Sequence, residues 1–338
     1  MKYFHIIDSK RGNDYFGSEY VSMPVNHNES KRKNRASKTA EFVAFFRALE
    51  YSYPKERRLF EDPFALRFLS PFLQTATYLS RVPLLGRAVP YLVDRFGPGA
   101  RASGVARTRL IDDHLSNAID QGIEQVVILG SGFDSRAYRI PHIKRVRVFE
   151  VDQARTLLVK QKKIKRVLGF LPRGVTYIET DLNIQKLEQT LVKEGFDLAR
   201  PAFFIWEGVT NYLTEQAVDM TLRFISTTAP GSFILFTYVH KHLIDTLAER
   251  PSMRRIYRLL QRIGEPWTFG MIPEELPAYL EARGLQLIED VDSFEFRKRY
   301  MNPCGPHMKG YKFYRAVLAQ VKSKDPELQI RFFRSFFH

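Results

Sequence analysis

The sequence predicts an α/β protein built on a doubly wound, seven-stranded sheet whose last strand runs antiparallel. Three observations carry this. Residues 125–152, QVVILGSGFDSRAYRIPHIKRVRVFEVD, run as strand, glycine turn, helix, strand and terminal acid, the plan of a nucleoside-binding βαβ unit. Short apolar runs then alternate with helical text to residue 321, the pattern of a sheet wound on both faces. The last two runs are separated by a segment without a long helical pattern, which suggests a closing hairpin.

Taken in order, residues 1–38 hold eight Lys/Arg against four Asp/Glu with turn-forming residues between them, and read as a flexible basic N-terminal extension. A helix is expected over 39–51, where Phe42, Val43, Phe45, Phe46 and Leu49 fall near helical spacing. Residues 60–100 are rich in Phe, Leu and Pro and lack strand alternation, so 39–100 reads as a helical lid. The domain proper is expected over 101–321. It opens with a helix at 107–121, striped by Leu110, Ile111, Leu115, Ala118 and Ile119 and ended by Gly122. Strands follow at 126–129 and 146–151, a basic helix at 153–168, and strands at 175–182 (VTYIETDL) and 202–208 (AFFIWEG). Thr214 is placed to cap a helix reaching about residue 228, Pro230-Gly231 makes a turn, and SFILFTYV (232–239) is the fifth strand. An insertion occupies about 240–283, before strands at 285–291 and 312–321 and a Phe-rich tail at 322–338.

The glycine turn selects among nucleoside ligands. A dinucleotide fingerprint is G-x-G-x-x-G with a helix N-terminus free to hold a diphosphate. Here the third glycine position is Ser135, and Asp134 stands where a diphosphate would lie. An acidic turn suits a ligand with an uncharged ribose and a cationic centre, as in S-adenosylmethionine. The alternative is an ordinary α/β turn whose glycines serve packing alone.

Ligands of open α/β sheets bind outside the carboxyl ends of the strands. The first four strands end in Gly130, Asp152, Asp181-Leu182 and Glu207. In one crevice, Gly130 would admit the amino-acid part of the ligand and Asp152 would hold the ribose diol. Asp181 would accept from the adenine amino group, the Leu182 backbone would touch the ring edge, and Glu207 would border the methionine end. Each acid alone is more often a helix cap or an ion-pair partner.

The strings VVILGSGFDSRAYRIP, FEVD, TDL and WEGVTNYL, with ARTRLIDDHL upstream and APGS downstream, resemble the leucine carboxyl methyltransferase-like family, and most closely its bacterial branch of S-adenosylmethionine-dependent O-methyltransferases. The resemblance covers about residues 100–240 and is absent over 1–38. It implies a Rossmann-like class I methyltransferase fold with a helical lid, and cofactor contacts at Gly130, Asp152, Asp181, Leu182 and Glu207. It also implies an arginine ahead of the first strand that pairs with the cofactor carboxylate. Arg107 and Arg101 both answer to this, with Arg107 ranked first.

Composition bounds the alternatives. The only cysteine is Cys304, which excludes disulfides within the chain and cysteine-rich metal sites, and fits a reducing cytoplasm. No apolar run reaches the length of a membrane span. The net charge of +15 is clustered: residues 153–173 carry seven Lys/Arg and no acid, and 294–315 carry six against one. Such clusters bind nucleic acid or acidic membrane in some proteins and are solvated helix faces in most. No nucleic-acid motif accompanies them, so the expected partner is a small-molecule acceptor rather than a specific nucleic acid. The expected enzyme transfers a methyl group to a carboxylate or hydroxyl oxygen. A non-catalytic S-adenosylmethionine-binding protein and a nicotinamide-dependent oxidoreductase are the rival readings. Among His114, His142, His240, His242 and His307, none is assigned as a base, because each fits a surface or structural role better.

Overall fold

A computed structural model describes residues 37–322 apart from 83–85, 87, 185–186, 247–257, 259, 263 and 302–311. Nearly all of the basic extension and of the tail, together with Cys304, His307 and most of the helical text of the insertion, lie outside the described residues.

The sheet has the order β3-β2-β1-β4-β5-β7-β6. Its strands are β1 (Gln125–Leu129), β2 (Arg147–Asp152), β3 (Val175–Glu179), β4 (Ala202–Trp206), β5 (Phe233–Val239), β6 (Leu285–Asp292) and β7 (Tyr314–Val321). β1 pairs in parallel with β2 and β4, β2 with β3, and β4 with β5. β7 runs antiparallel to both β5 and β6, as the sequence predicts. The central strands β1, β4 and β5 are buried along their whole length, because helices cover both faces; this is why they read as continuous apolar runs. Core residues divide accordingly: Val127, Phe149, Phe204 and Phe236 face one layer, and Val126, Val148, Phe203 and Leu235 the other.

Among the described residues, α1 (Lys38–Tyr51), α2 (Pro71–Leu79) and α3 (Ala88–Phe96) come ahead of the helix that enters the sheet. Ser37 caps α1 by accepting from Ala40 N at 3.1 Å. The inner faces of α1 and α2 share a core with Phe133 and with Ile164 of α6 (Ala154–Leu168). The helix entering β1, α4, spans Ala100–Asp120 and begins seven residues before the expected start at 107. Buried Ala102, Val105 and Ala106 carry its inner stripe backwards. A Cβ at Gly104 would sit 3.1 Å from the Phe46 ring, so this glycine, poor as a helix former, lets α1 and α4 approach closely.

Three further expectations are revised, while the Thr214 cap is borne out. The crossover after β1 is only α5 (Arg136–Arg139) and a short 3-10 turn. Ile140 takes an extended backbone (φ −68°, ψ 132°) ahead of Pro141, as the proline requires. β3 and β4 end at Glu179 and Trp206, so Asp181, Leu182 and Glu207 sit in loops just beyond the strands. Thr214 caps the helix Glu215–Ser226, accepting from Ala217 N at 3.2 Å. Between β6 and β7 the chain forms a helix, Ser293–Tyr300, capped by Asp292; its charge-dense text FEFRKRY hid a face on which Phe296 is buried against Leu110 of α4.

Candidate functional site

The strand order reverses between β1 and β4, so the carboxyl ends of β2, β1 and β4 flank a topological switch point. The turn after β1 is tied to β2: Ser131 N donates to Val151 O at 3.0 Å. Gly132 N donates to Asp152 Oδ2 at 2.6 Å, and Gln153 N to Asp152 Oδ1 at 2.7 Å. Burial raises the Asp152 pKa, with the Gly132 and Gln153 amides and Lys160 acting against it. A carboxylate has about four acceptor positions, so each Asp152 oxygen keeps capacity for a further donor. Thr180 N donates to Asp152 O at 2.9 Å, which brings the β3 loop alongside. In that loop Asp181 Oδ1 accepts from Asn183 N at 3.0 Å, and Leu182 is buried in the core.

Gly130 has φ 63°, where a side chain is strained. A Cβ there would also lie 2.3 Å from Val209 Cγ2. The protein itself fills that space, so packing between the turn and the loop after β4 requires the glycine, whatever it also admits.

Glu207 is gripped from two sides. Arg107 Nε donates to Oε1 at 2.7 Å and Arg136 Nη1 to Oε2 at 2.7 Å. Burial by itself would raise the Glu207 pKa, but Arg107 and Arg136 bring it below the ordinary carboxylate value. Arg107 lies under Tyr314, its guanidinium 4.8 Å from the ring centre, and donates no other hydrogen bond among the described residues. Arg101 is on the same helix but belongs to a different pair: its Nε and Nη2 donate to the two oxygens of Asp94 on α3, at 3.2 and 2.6 Å. The structure therefore brings Arg107, and not Arg101, into contact with Glu207.

The sequence did not reveal how much charge is buried behind this edge. Arg136 also binds Asp112, Nε to Oδ1 at 2.8 Å, and both the main chain and side chain of Arg136 donate to Asp134. Arg139 makes a two-point pair with Asp112 at 2.6 and 2.8 Å. Asp62, fully buried, accepts from Arg47 Nε at 2.8 Å and Ser135 Oγ at 2.6 Å. Arg47, Arg107, Arg136 and Arg139 thus alternate with Asp62, Asp112, Asp134 and Glu207 in one buried network. This corrects the electrostatic argument for the turn: the charge of Asp134 is committed to Arg136, which holds its pKa far below the usual range despite burial. What disfavours a diphosphate is instead the single-turn α5, too short to present a helix N-terminus. The spacing of Arg136 and Arg139, one helical turn apart, gives no sign by itself that both are buried.

The insertion reaches the same edge. Thr268 N donates to Asn211 O at 2.8 Å, and Thr39 at the start of α1 hydrogen-bonds Glu265. Tyr212, next to Asn211, is near Thr39 and Trp267, and burial pushes its phenol up to about 12, so it is protonated near neutrality. Of the histidines, His114 pairs with Glu289 at 3.1 Å and His142 with Asp120 at 3.2 Å, both away from the strand ends. His240 directly follows β5, stacked on His242, and burial lowers its pKa.

The strand order with a final antiparallel strand, and the acids at the carboxyl edge, define the class as a Rossmann-like class I methyltransferase fold. A Thermobifida fusca methyltransferase candidate of known structure superposes with TM-score 0.51 at 18% identity, over 81% of this chain and 97% of its own. A DUF574 family protein from Streptomyces avermitilis gives 0.53 at 15%, over 86% and 100%. The model of the leucine carboxyl methyltransferase family matches residues 40–226, and the chain belongs to that family. A Mycobacterium marinum relative, described as a candidate S-adenosyl-L-methionine-dependent methyltransferase, is 31% identical over 67% of this chain and 71% of its own length. One from Mycobacterium sp. strain KMS, described likewise, is 40% identical over 41% and 43%. The family match starts at residue 40, so it takes in the helices ahead of the motif-bearing stretch 100–240.

Proposed function

We propose that the chain is an S-adenosylmethionine-dependent O-methyltransferase acting on a carboxylate or hydroxyl of a small molecule. Family membership and fold supply the reaction class. The observation that carries the assignment of the site is the meeting of the Gly130 turn, Asp152 and the Arg107–Glu207 pair at the switch point. In this reading the half-buried Asp152 accepts from the two ribose hydroxyls with its remaining lone pairs. Asp181 accepts from the adenine amino group, beside the Leu182 backbone. The guanidinium edge of Arg107 that Glu207 leaves unused takes the cofactor carboxylate. Arg101, bound to Asp94, is a structural residue.

The bound cofactor supplies an electrophilic methyl on a sulfonium, a good leaving group. The protein's share is to align acceptor oxygen, methyl carbon and sulfur and to keep water out. A carboxylate acceptor is ionised near neutrality and needs no base, whereas a hydroxyl needs one. Tyr212, held protonated, would orient an acceptor by donating to it. His240, whose lowered pKa leaves it neutral, is the base candidate should the acceptor be a hydroxyl. Incubation with methyl-tritiated S-adenosylmethionine and a metabolite extract tests the proposal. Label that alkali releases as methanol marks a methyl ester, and alkali-stable label on oxygen marks an ether. Transfer to nitrogen, carbon or nucleic acid, or no transfer at all, would reject it.

A further inference from the structure

Helices α2 and α3 are apolar on the side that faces water. Their inner residues Leu73 and Val93 pack into the same core as Ile164 of α6, so their outer faces should carry polar side chains. Instead Phe72 is 79% exposed, Tyr91 64% and Phe96 82%. Just beyond the end of α6, Phe170 is 62% exposed.

The neighbouring helix α6 is basic. Lys162, Lys165 and Arg166 on α6 are exposed and form no ion pair among the described residues, and residues 153–173 contain no acid to offset them. The two parts are joined directly: Lys163 Nζ on α6 donates to Phe68 O at 3.0 Å and Leu69 O at 3.3 Å, and α2 starts two residues later. Protruding aromatics beside unpaired cations are the chemistry of a surface that lies on an anionic bilayer, the rings entering the headgroup boundary and the cations meeting lipid phosphates and carboxylates. An exposed apolar patch alone would fit many partners; the unpaired positive charge on α6 beside it selects this one.

We propose that the outer face of α2, α3 and α6 docks on an anionic lipid membrane, as a peripheral contact without a spanning segment. Flotation of the full-length protein with phosphatidylcholine vesicles, with and without phosphatidylserine, tests it. No methyl donor or acceptor is involved, so the result is independent of the proposed reaction. Binding is expected to need phosphatidylserine and to fall with added salt. Lys165→Ala and Arg166→Ala should each weaken it by about fivefold, and Phe72→Ser and Phe96→Ser each by roughly tenfold or more. All four side chains are at the surface, and an unchanged melting temperature confirms that each variant is folded. No flotation with anionic vesicles, or flotation indifferent to the Phe substitutions, overturns the proposal. So does displacement of the vesicles by oligouridine with no effect of those substitutions, which would mark a nucleic-acid surface. Self-association that the Phe variants abolish, without vesicle binding, would assign the face to a second copy of the chain.

Discussion

Arg107 and Glu207 join the long helix before the sheet to the end of its fourth strand, Nε to Oε1 at 2.7 Å, and Arg136 holds the other Glu207 oxygen at the same distance. Glu207 therefore acts on Arg107 by fixing which edge of the guanidinium faces outward. A side chain clamped this way loses little freedom on meeting a ligand carboxylate, and the planar fork suits two-point recognition.

Replacing Arg107 by Ala should weaken S-adenosylhomocysteine binding by about 1.5–3 kcal/mol, the range for a hydrogen bond to a charged group. Adenosine, which has no carboxylate, should be affected far less. Arg101→Ala should leave both affinities near wild type and show in thermal stability alone, since its partner is Asp94. Titration calorimetry with both ligands separates the two arginines. Selective loss in Arg101→Ala would reverse the assignment.

Asp152→Ala removes an acceptor that already binds the Gly132 and Gln153 amides. Affinity for both adenosine and S-adenosylhomocysteine should fall together, because both carry the ribose. The two amides lose their partner as well, so some destabilisation is expected, and Asp152→Asn, which keeps an acceptor oxygen, should recover part of it. Unchanged affinity in a folded Asp152→Ala protein would make the carboxylate a structural tie between β2 and the turn.

How far these positions could be read in advance varied with the physics behind each. The first βαβ unit was legible because strands buried on both faces leave continuous apolar runs, and because a turn with positive φ leaves glycines. Gly130 was read from the turn, and Asp152 from its place at the end of the second apolar run. The arginine cluster was not legible. The burial of Arg136 and Arg139 depends on Asp112 and Asp62, brought in from other elements by the fold. The helix Ser293–Tyr300 was missed for a related reason, since its buried Phe296 and Arg297 are set among charges. Spacing gave only a ranking of Arg107 ahead of Arg101, because both lie on α4; in the structure their partners differ, Glu207 for one and Asp94 for the other.

Arg136→Ala should be the most destabilising of these substitutions. Removing one member of a buried ion network leaves uncompensated charge and costs about 3–5 kcal/mol; here Asp112, Asp134 and Glu207 all lose a partner. The pair Arg136→Ala with Glu207→Gln should be less destabilising than the sum of the single changes, because the second removes a charge the first exposes. Urea denaturation of the four proteins in the cycle measures this. Strict additivity would show that the two side chains do not interact.

The buried acids should give the stability two opposing pH dependences. Arg107 and Arg136 hold Glu207 below its ordinary pKa, burial notwithstanding. Its stabilisation is complete above the unfolded value of about 4.3 and is lost as pH falls through the lower, folded one. Glu150 behaves oppositely. It is fully buried with Lys160 Nζ 2.9 Å from Oε2, but neither of its oxygens has a donor in hydrogen-bond geometry among the described residues. Burial outweighs the lysine and pushes its carboxyl up to about 7. Between about pH 4.3 and that raised value the folded state binds more protons at Glu150 than the unfolded one, so this group makes stability fall as pH rises. Glu150→Gln should flatten the pH dependence of the unfolding free energy over that window, most visibly between pH 5 and 7. Glu207→Gln should leave the window unchanged and reduce the loss of stability below it. Urea denaturation across the pH range tests both, and an unaltered slope in Glu150→Gln would mean that Lys160 keeps Glu150 ionised throughout.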